Sequence, residues 1–243
     1  MKAMILAAGF GKRLLPITKT TPKALVMVKG RPVLGWIIEQ LDRNGFREIF
    51  INTHYLHDRI KAYVTDLNTP CKITLSHETE ILGTGGGVLN AGKWWGDEAC
   101  YVCNGDILCD LNIQDFIAYH QSGGCSVTLA VHNSQSSSML LIDKSGMLCG
   151  RFVDGKQTLY ADPCGALTAK GFAGIHLIES SFIMQAGTTH HFSIIDQYTN
   201  LIQKGLKIFT YTIKNAYWID IGTLDSLKQA NREFKGFSSY SPS

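Results

Sequence analysis

The apolar positions of this chain fall into short unbroken runs and longer runs at helical spacing, and the two kinds alternate. Met1–Ala8 carries an apolar run (Met4, Ile5, Leu6, Ala7, Ala8) that breaks at Gly9-Phe10-Gly11. A short apolar run bounded by glycine reads as a buried strand ending in a loop. Val33, Leu34, Ile37, Ile38 and Leu41 recur at three and four residues, which predicts a helix stopping at Gly45. Glu48–Asn52 is a second buried run, His54–Val64 a second helical pattern (Leu56, Ile60, Val64), and Cys71–Leu75 a third strand. This alternation predicts a parallel sheet with right-handed crossovers. Ligands of such sheets sit beyond the strand C-termini. The Gly9 loop, Asn52, Ser76–Glu80 and the end of the next strand are expected to gather there.

Gly83-Thr84-Gly85-Gly86-Gly87 reads as a loop, followed by an apolar helical stretch from Val88 to Trp95. Ala99–Val102 predicts a fourth strand running into Asn104-Gly105-Asp106. Leu111–His120 predicts a helix capped by Asp110, and Ser126–His132 alternates like a strand. Asn133–Ser138 is a polar loop. Met139–Ile142, Met147–Arg151 and Thr158–Tyr160 are short strands joined by Asp-Lys-Ser-Gly and Asp-Gly-Lys turns, which is hairpin chemistry. Phe172–Leu177 is a further strand. Ser193 is placed to N-cap a helix running to about Gln203. Lys207–Tyr211 and Ala216–Trp218 are the last strands, and Thr223 caps a final helix, Leu224–Phe234. The expected fold is α/β: a Rossmann-like, mostly parallel but mixed sheet sandwiched by helices over residues 1–235, with a frayed Ser-rich tail over 236–243.

Composition narrows the partners. A chain of 243 residues fits one large α/β domain or two small ones. A net charge of +3, with no basic cluster, argues against a nucleic-acid patch. No apolar stretch approaches the ~20 residues of a membrane span, and the opening run is too short for a signal peptide. No membrane and a cytoplasmic location are therefore expected. Seven cysteines are scattered, and the Cys100-x-x-Cys103 pair lies in a strand-like run without a second pair at zinc spacing. Buried, reduced thiols are the expectation. His54, His57, His190 and His191 have no carboxylate or cysteine at ligand spacing, so surface or capping roles are expected for the histidines.

The candidate chemistry concentrates in the first two dozen residues. Gly9 and Gly11 can take φ > 0 and let a ligand approach the backbone, and exposed N–H groups of such a loop cradle anions. Arg13 and Lys23 add donors for phosphate oxygens. Two common phosphate motifs fail. The dinucleotide fingerprint needs a third Gly where Leu14 stands, and a P-loop needs Gly at Leu6 and Ser or Thr at Arg13. Asp106, just past a buried strand at the sheet's ligand edge, stands where a Mg²⁺ ligand is expected, although an Asp in a turn is commonplace.

The string Leu6-Ala7-Ala8-Gly9-Phe10-Gly11-Lys12-Arg13-Leu14-Leu15-Pro16, followed by Pro22-Lys23-Ala24-Leu25, resembles the signature of the sugar-1-phosphate nucleotidylyltransferases. Three later stretches fall in the family's order: Gly83–Gly87, Asn104-Gly105-Asp106, and Trp218-Ile219-Asp220-Ile221-Gly222-Thr223. Two departures are visible. Lys12 stands where many members carry Thr or Ser, and the Glu-Lys-Pro motif often found before the Phe172 strand is missing.

The resemblance implies a nucleotide-diphospho-sugar transferase (GT-A-like) fold, with a nucleotide-binding half over 1–110 and a sugar-binding half over 111–235. It implies catalytic roles for Arg13, Lys23 and Asp106. Nucleotide contacts would come from Ala7, Ala8, Gly9, Gly11, Lys12, Arg13, Lys23, Glu78, Thr84, Gly85 and Gly86. Sugar contacts would come from Asn104, Gly174 and Asp220, and Mg²⁺ would bind Asp106 and Asp220. The implied substrates are an NTP and a sugar 1-phosphate, taken by a monomer or homodimer. Within the family the chain looks most like the N-acetylmuramate 1-phosphate uridylyltransferase and mannose-1-phosphate guanylyltransferase group. UTP with N-acetylmuramate 1-phosphate is the leading expectation. GTP with mannose or heptose 1-phosphate, and UTP or dTTP with glucose 1-phosphate, are the alternatives. Two other classes are weighed beside it. A nicotinamide-dependent oxidoreductase fits strand–Gly-x-Gly–helix but not the missing third Gly or the presence of Arg13 and Lys23. A non-catalytic regulatory subunit that binds sugar nucleotides would be expected to have lost Arg13, Asp106 or Asp220, and all three are present.

Overall fold

The computed structural model describes residues 1–133, 137–185 and 191–237. Residues 134–136 of the polar loop, His190, and the tail beyond Phe237 lie outside the described residues. In chain order the elements are β1 (Lys2–Leu6), β2 (Met27–Val28), β3 (Arg31–Pro32), α1 (Val33–Arg43), β4 (Glu48–Thr53), α2 (His57–Asp66) and β5 (Lys72–His77). Then come α3 (Gly83–Trp95), β6 (Cys100–Asn104), β7 (Ile107–Cys109), α4 (Ile113–Gly123), β8 (Val127–His132), β9 (Ser138–Ile142), β10 (Leu148–Val153) and β11 (Lys156–Leu159). The chain closes with β12 (Thr168–Ile178), α5 (Ser180–Gln185), α6 (Ile194–Gln203), β13 (Phe209–Thr212), β14 (Trp218–Asp220) and α7 (Leu224–Glu233). Most of the strands form a mixed sheet accompanied by helices, which is the expected fold class.

Two compact units are interleaved along the chain. The first comprises Met1–Ile81, Val102–Ile113 and Ala216–Ser243; the second comprises Leu82–Tyr101 and Gln114–Asn215. The linear halves 1–110 and 111–235 cut across both, because the chain leaves the first unit, returns through β6 and returns again at its end.

In the first unit β1, β4 and β5 pair in parallel, with Ile5 beside Ile51 and Ile51 beside Leu75. Ala3, Met4 and Ile5 of β1 have no exposed surface. Burial on both faces is why this strand reads as a continuous apolar run rather than an alternation. Helix α1 buries Val33, Leu34, Ile37, Ile38 and Leu41, the positions at helical spacing. Its Gln40 donates from Nε2 to the Cys109 carbonyl of β7 at 2.8 Å, which satisfies the buried side-chain amide. Strands β7 and β14 form an antiparallel ribbon, with Ile107 opposite Asp220 and Cys109 opposite Trp218. The sequence pattern anticipates β14 two residues early and does not anticipate the ribbon, since a three-residue strand is too short to show a period. Thr223 does cap α7, and it shares a capping box with Ser226.

In the second unit β13 runs parallel to β8, and β8, β12, β9, β10 and β11 pair antiparallel in that succession. Between the pairs Phe172–Val131 and His176–Leu129 the register of β12 against β8 shifts, and Gly174, at φ +71°, lies in that irregularity. A positive φ inside a strand suits glycine and marks a bulge. Ser193 caps α6 as expected, its hydroxyl accepting from Ile195 N at 3.3 Å.

Two expectations are corrected here. Gly83–Gly87 is not a loop: α3 begins at Gly83, and the glycines form its first turn. The Gly85 N–H donates to the Phe192 carbonyl at 3.0 Å, and a Cβ at Gly85 would lie 2.1 Å from the Phe192 ring. Gly83 and Gly85 are small because Phe192 packs on them, a tertiary reason that local propensity does not carry. Nor are the histidines all surface or capping groups. His120, His132 and His176 are buried in the second unit. The thiols follow expectation more closely: all seven are free and five are buried, while Cys125 is half-buried and Cys164 exposed.

Candidate active site

The first unit assembles its polar groups at the C-terminal ends of its parallel strands. Asn52, at the end of β4, is 2% exposed. Its Oδ1 accepts from Ala7 N, just past β1, at 3.0 Å, and its Nδ2 donates to Glu78 Oε1, just past β5, at 2.7 Å. One buried amide thus fastens three strand ends. Glu78 is held again through its backbone, its N–H donating to the Thr53 carbonyl at 2.8 Å. His54 Nδ1 lies 2.8 Å from the Glu78 carbonyl.

The loop after β1 is shaped by Gly11, which has φ +64°. A Cβ there would lie 2.8 Å from the Thr18 side chain and 3.2 Å from Lys23 Cβ. Gly11 is therefore required both by its backbone angle and by the close approach of the Lys23 segment. Gly9, expected to share this conformation, does not take positive φ; space is open around it, which suits close approach of a ligand. Residues Lys12–Leu14 form a single 3₁₀ turn with Leu14 fully buried as its anchor. That anchor leaves Lys12 and Arg13 facing outward, with Lys12 Nζ 5.6 Å from the centroid of the Phe10 ring. Phe10 itself packs edge-on to His54.

Arg13, Lys23, Asp106 and Asp220 come together in one cluster. The Gly105 N–H donates to the Leu6 carbonyl at 2.8 Å, which sets the Asp106 turn against the end of β1. The ribbon then delivers Asp220: the Ile221 N–H donates to the Asp106 carbonyl at 3.0 Å. Lys23 Nζ donates to Asp106 Oδ2 and lies 3.8 Å from Asp220 Oδ1. Arg13 Nη2 lies 3.8 Å from Asp220 Oδ2. The Lys23–Asp106 pair is mostly buried, with side chains 17% and 16% exposed, whereas Arg13 is 66% exposed. Burial lowers the Lys23 pKa, the Asp220 charge opposes that fall, and the neighbouring Arg13 adds to it. Gly222 closes the floor: its N–H donates to Asp220 Oδ1 at 2.6 Å, and a Cβ would stand 2.6 Å from Arg13 Nη2 and 3.0 Å from Lys23 Nζ.

Two carboxylates around one ammonium form a donor set of hard oxygens that suits a cation such as Mg²⁺. Among the described residues no group of three or more His, Cys, Asp or Glu side chains could hold a metal. Asp106 and Asp220 would need oxygens from a ligand or water to complete a shell.

The remaining candidates fall elsewhere. Ala8 is buried beside the loop, and Asn104 is the last residue of β6. Thr84, Gly85, Gly86 and Gly174 belong to the second unit. There Thr84 Oγ1 accepts from Ile194 N at 2.9 Å, which ties the start of α3 to the start of α6. Gly174 is buried at its bulge. The buried pairing of Asn52 with Glu78 was legible only as two polar residues following apolar runs.

Residues 2–139 match the nucleotidyl transferase family. The chain is 40% identical over 125 residues to the N-acetylmuramate alpha-1-phosphate uridylyltransferase of Neisseria meningitidis, covering 50% of this chain and 52% of that one. It is 26% identical over 239 residues to the D-glycero-alpha-D-manno-heptose 1-phosphate guanylyltransferase of Aneurinibacillus thermoaerophilus, covering 98% and 100%. The chain spans about half or less of the length of the curated relatives that it matches above 30% identity. Among solved structures, HddC of Yersinia pseudotuberculosis in complex with GMP-PN superposes with a TM-score of 0.78 at 26% identity, over 96% of this chain and 99% of that one. These neighbours have the nucleotide-diphospho-sugar transferase fold.

The ion cluster makes its own prediction. Lys23→Met leaves the Asp106 carboxylate buried without its ammonium and should destabilise the protein by about 3 kcal/mol. Adding Asp106→Asn should recover part of that loss, because the stranded charge is then gone. Urea melts of the two single variants and the double variant check this; additive losses would show that the pair is uncoupled.

Proposed function

The chain belongs to the nucleotidyl transferase family, and from that premise we propose that it transfers a nucleotidyl group from an NTP to a sugar 1-phosphate, releasing pyrophosphate. The observation that carries this reading is the cluster of Arg13, Lys23, Asp106 and Asp220 at the strand ends, beside a loop with open backbone at Gly9. With a cation on its two carboxylates, such a cluster would suit a polyanionic substrate.

In this reaction a phosphate oxygen of the sugar attacks the α-phosphorus of the NTP in line, and the bond to the β-phosphate oxygen breaks. The protein positions the groups and balances charge, with little covalent work of its own. Lys23 offers its ammonium to the α-phosphate and the incoming phosphate, since burial and two flanking carboxylates hold it in place. Arg13, exposed and hinged on the buried Leu14, offers its fork to the β- and γ-phosphates as pyrophosphate departs. Backbone at Ala8, Gly9 and Gly11, with Lys12 beside it, receives the phosphates; Glu78 serves base recognition. Asn104 and Asp220 serve the sugar side. Asp106 and Asp220 would hold Mg²⁺, which would supply Lewis-acid polarisation of a phosphate.

For substrates we take UTP and N-acetylmuramate 1-phosphate, supported by the 40% identity to the Neisseria meningitidis uridylyltransferase. A second reading, GTP with a heptose 1-phosphate, is supported by the likeness to the heptose guanylyltransferase over its full length. Pyrophosphate release should be measured across the four NTPs and the 1-phosphates of N-acetylmuramate, mannose, heptose and glucose. UTP with N-acetylmuramate 1-phosphate should lead in kcat/KM by roughly 10²-fold. A lead for GTP with heptose 1-phosphate would replace the substrates and keep the reaction. Turnover of no pair would leave a sugar-nucleotide-binding subunit without catalysis.

Two variants probe the roles. Arg13→Ala should lower kcat by roughly 10²–10³ while KM for the sugar phosphate changes little, because charge on the leaving pyrophosphate grows in the transition state. Near-normal turnover would remove Arg13 from the mechanism. Asp220→Asn should raise the Mg²⁺ concentration for half-maximal rate, and so should Asp106→Asn. The double variant should be little worse than either single one, since residues that act as a unit are not additive. An unchanged Mg²⁺ requirement in Asp220→Asn would leave Asp106 as the one carboxylate ligand.

A further inference from the structure

The second unit contains a cluster of nucleophilic and titratable groups that has no part in the proposed reaction. Cys125 lies between α4 and β8 and is half-buried. Its Sγ is 3.2 Å from Thr128 Oγ1 and 3.9 Å from His120 Nδ1. Thr128 Oγ1 in turn is 2.7 Å from His120 Nδ1. The other ring nitrogen, His120 Nε2, lies 2.9 Å from Glu179 Oε1. His120 is 1% exposed and Thr128 is fully buried, whereas the Glu179 side chain is 37% exposed. Three elements meet here: α4 carries His120, β8 carries Thr128, and Glu179 follows β12.

The order of groups is that of an activated nucleophile: thiol, hydroxyl, imidazole, carboxylate. Glu179 accepts the Nε2–H, which leaves Nδ1 as the acceptor. The Thr128 hydroxyl can then donate to Nδ1 and accept from the thiol, whose other acceptor is the Val127 carbonyl at 3.3 Å, so a hydrogen-bonded path links sulfur to imidazole. We propose that Cys125 is a nucleophilic thiol, its proton taken by His120 through Thr128, and that it is a site of modification by peroxides and other small electrophiles. This assignment uses no residue of the Lys23 cluster, so it stands or falls apart from the proposed reaction.

The electrostatics agree with the geometry. Burial opposes ionisation of Cys125, but hydrogen bonds from His120 and Thr128 and the His120 charge outweigh it, and the pKa falls. Burial likewise opposes protonation of His120, and Cys125 and Glu179 together reverse it, so the imidazole pKa rises. Tyr119 faces the same thiol; burial and Cys125 raise its pKa, which keeps it neutral. A thiolate beside an imidazolium is the arrangement that makes cysteines reactive. The other thiols are unlike it. Cys71, Cys100, Cys103, Cys109 and Cys149 are buried. Burial pushes Cys109 to about 12 and Cys149 to about 11. Cys164 is exposed and serves as an internal reference.

With hydrogen peroxide the step balances. The thiolate sulfur attacks one peroxide oxygen, an S–O bond forms, and the O–O bond breaks. Sulfur gives two electrons to the peroxide, and Cys125 becomes a sulfenic acid. The departing hydroxide takes the imidazolium proton and leaves as water.

The test is alkylation by iodoacetamide, read by mass spectrometry at Cys125 and Cys164 in the same folded sample over a range of pH. The pH of half-maximal rate separates ionisation from access, which differs between the two thiols. It should be lower for Cys125 than for Cys164. Glu179→Gln, a change at a partly exposed side chain, should move the Cys125 midpoint upward and leave Cys164 in place; Thr128→Val, which cuts the path at its middle, should do the same. Dilute peroxide followed by dimedone should label Cys125 before Cys164. Coincident midpoints, an unmoved Cys125 midpoint in Glu179→Gln with Cys164 behaving as in the parent protein, or earlier labelling of Cys164 would each overturn the proposal.

Discussion

The backbone bond from Ile221 N–H to the Asp106 carbonyl is the constraint on which the candidate site depends. It continues the β7–β14 ribbon and joins segments from the middle and the end of the chain. Together with the pairing of Asp220 opposite Ile107, it sets Asp220 near Lys23, so that Lys23 faces two carboxylates. The ribbon is short, and its stability comes from outside itself. Gln40 of α1 bonds the Cys109 carbonyl, and the capping box at Thr223 starts α7 immediately after it. Packing and capping therefore hold a geometry that three residues of strand could not hold alone.

Around that ribbon the charges are arranged so that each is compensated. Lys23 is mostly buried, and a buried ammonium is costly unless paired. Asp106 and Asp220 supply the pairing, and Arg13 faces Asp220 from the more exposed side. The outermost member, Arg13, is exposed and stands beside the buried Leu14. Gly222 has to remain small, since its position is bordered by Arg13, Asp220 and Lys23 at once.

The second unit uses the same economy for different ends. Phe192 packs on the glycines of α3, and Thr84 bonds the first N–H of α6, so a Gly-rich turn is ordered by a neighbour rather than by its own propensity. His120 is ordered between Thr128 and Glu179 by two hydrogen bonds. A buried imidazole satisfied on both nitrogens is a fixed acid–base group. That rigidity is what brings Cys125 within its reach.

The sequence by itself determined the alternation of strands and helices, the strand ends where polar groups gather, and the identities of Arg13, Lys23, Asp106 and Asp220. Those follow from hydrophobic periodicity and from an ordered motif, both of which are local along the chain. It also placed the caps at Ser193 and Thr223, because capping depends on a few adjacent residues. Tertiary structure alone decided the rest. The ribbon that joins Asp106 to Asp220, the helical rather than looped state of Gly83–Gly87, the ordinary φ of Gly9 against the left-handed Gly11, and the burial of His120 are set by contacts between residues remote in sequence. The same holds for Asn52, whose one side chain bonds the ends of two other strands. Such contacts leave no period and no motif, since their partners are chosen by the fold and not by spacing.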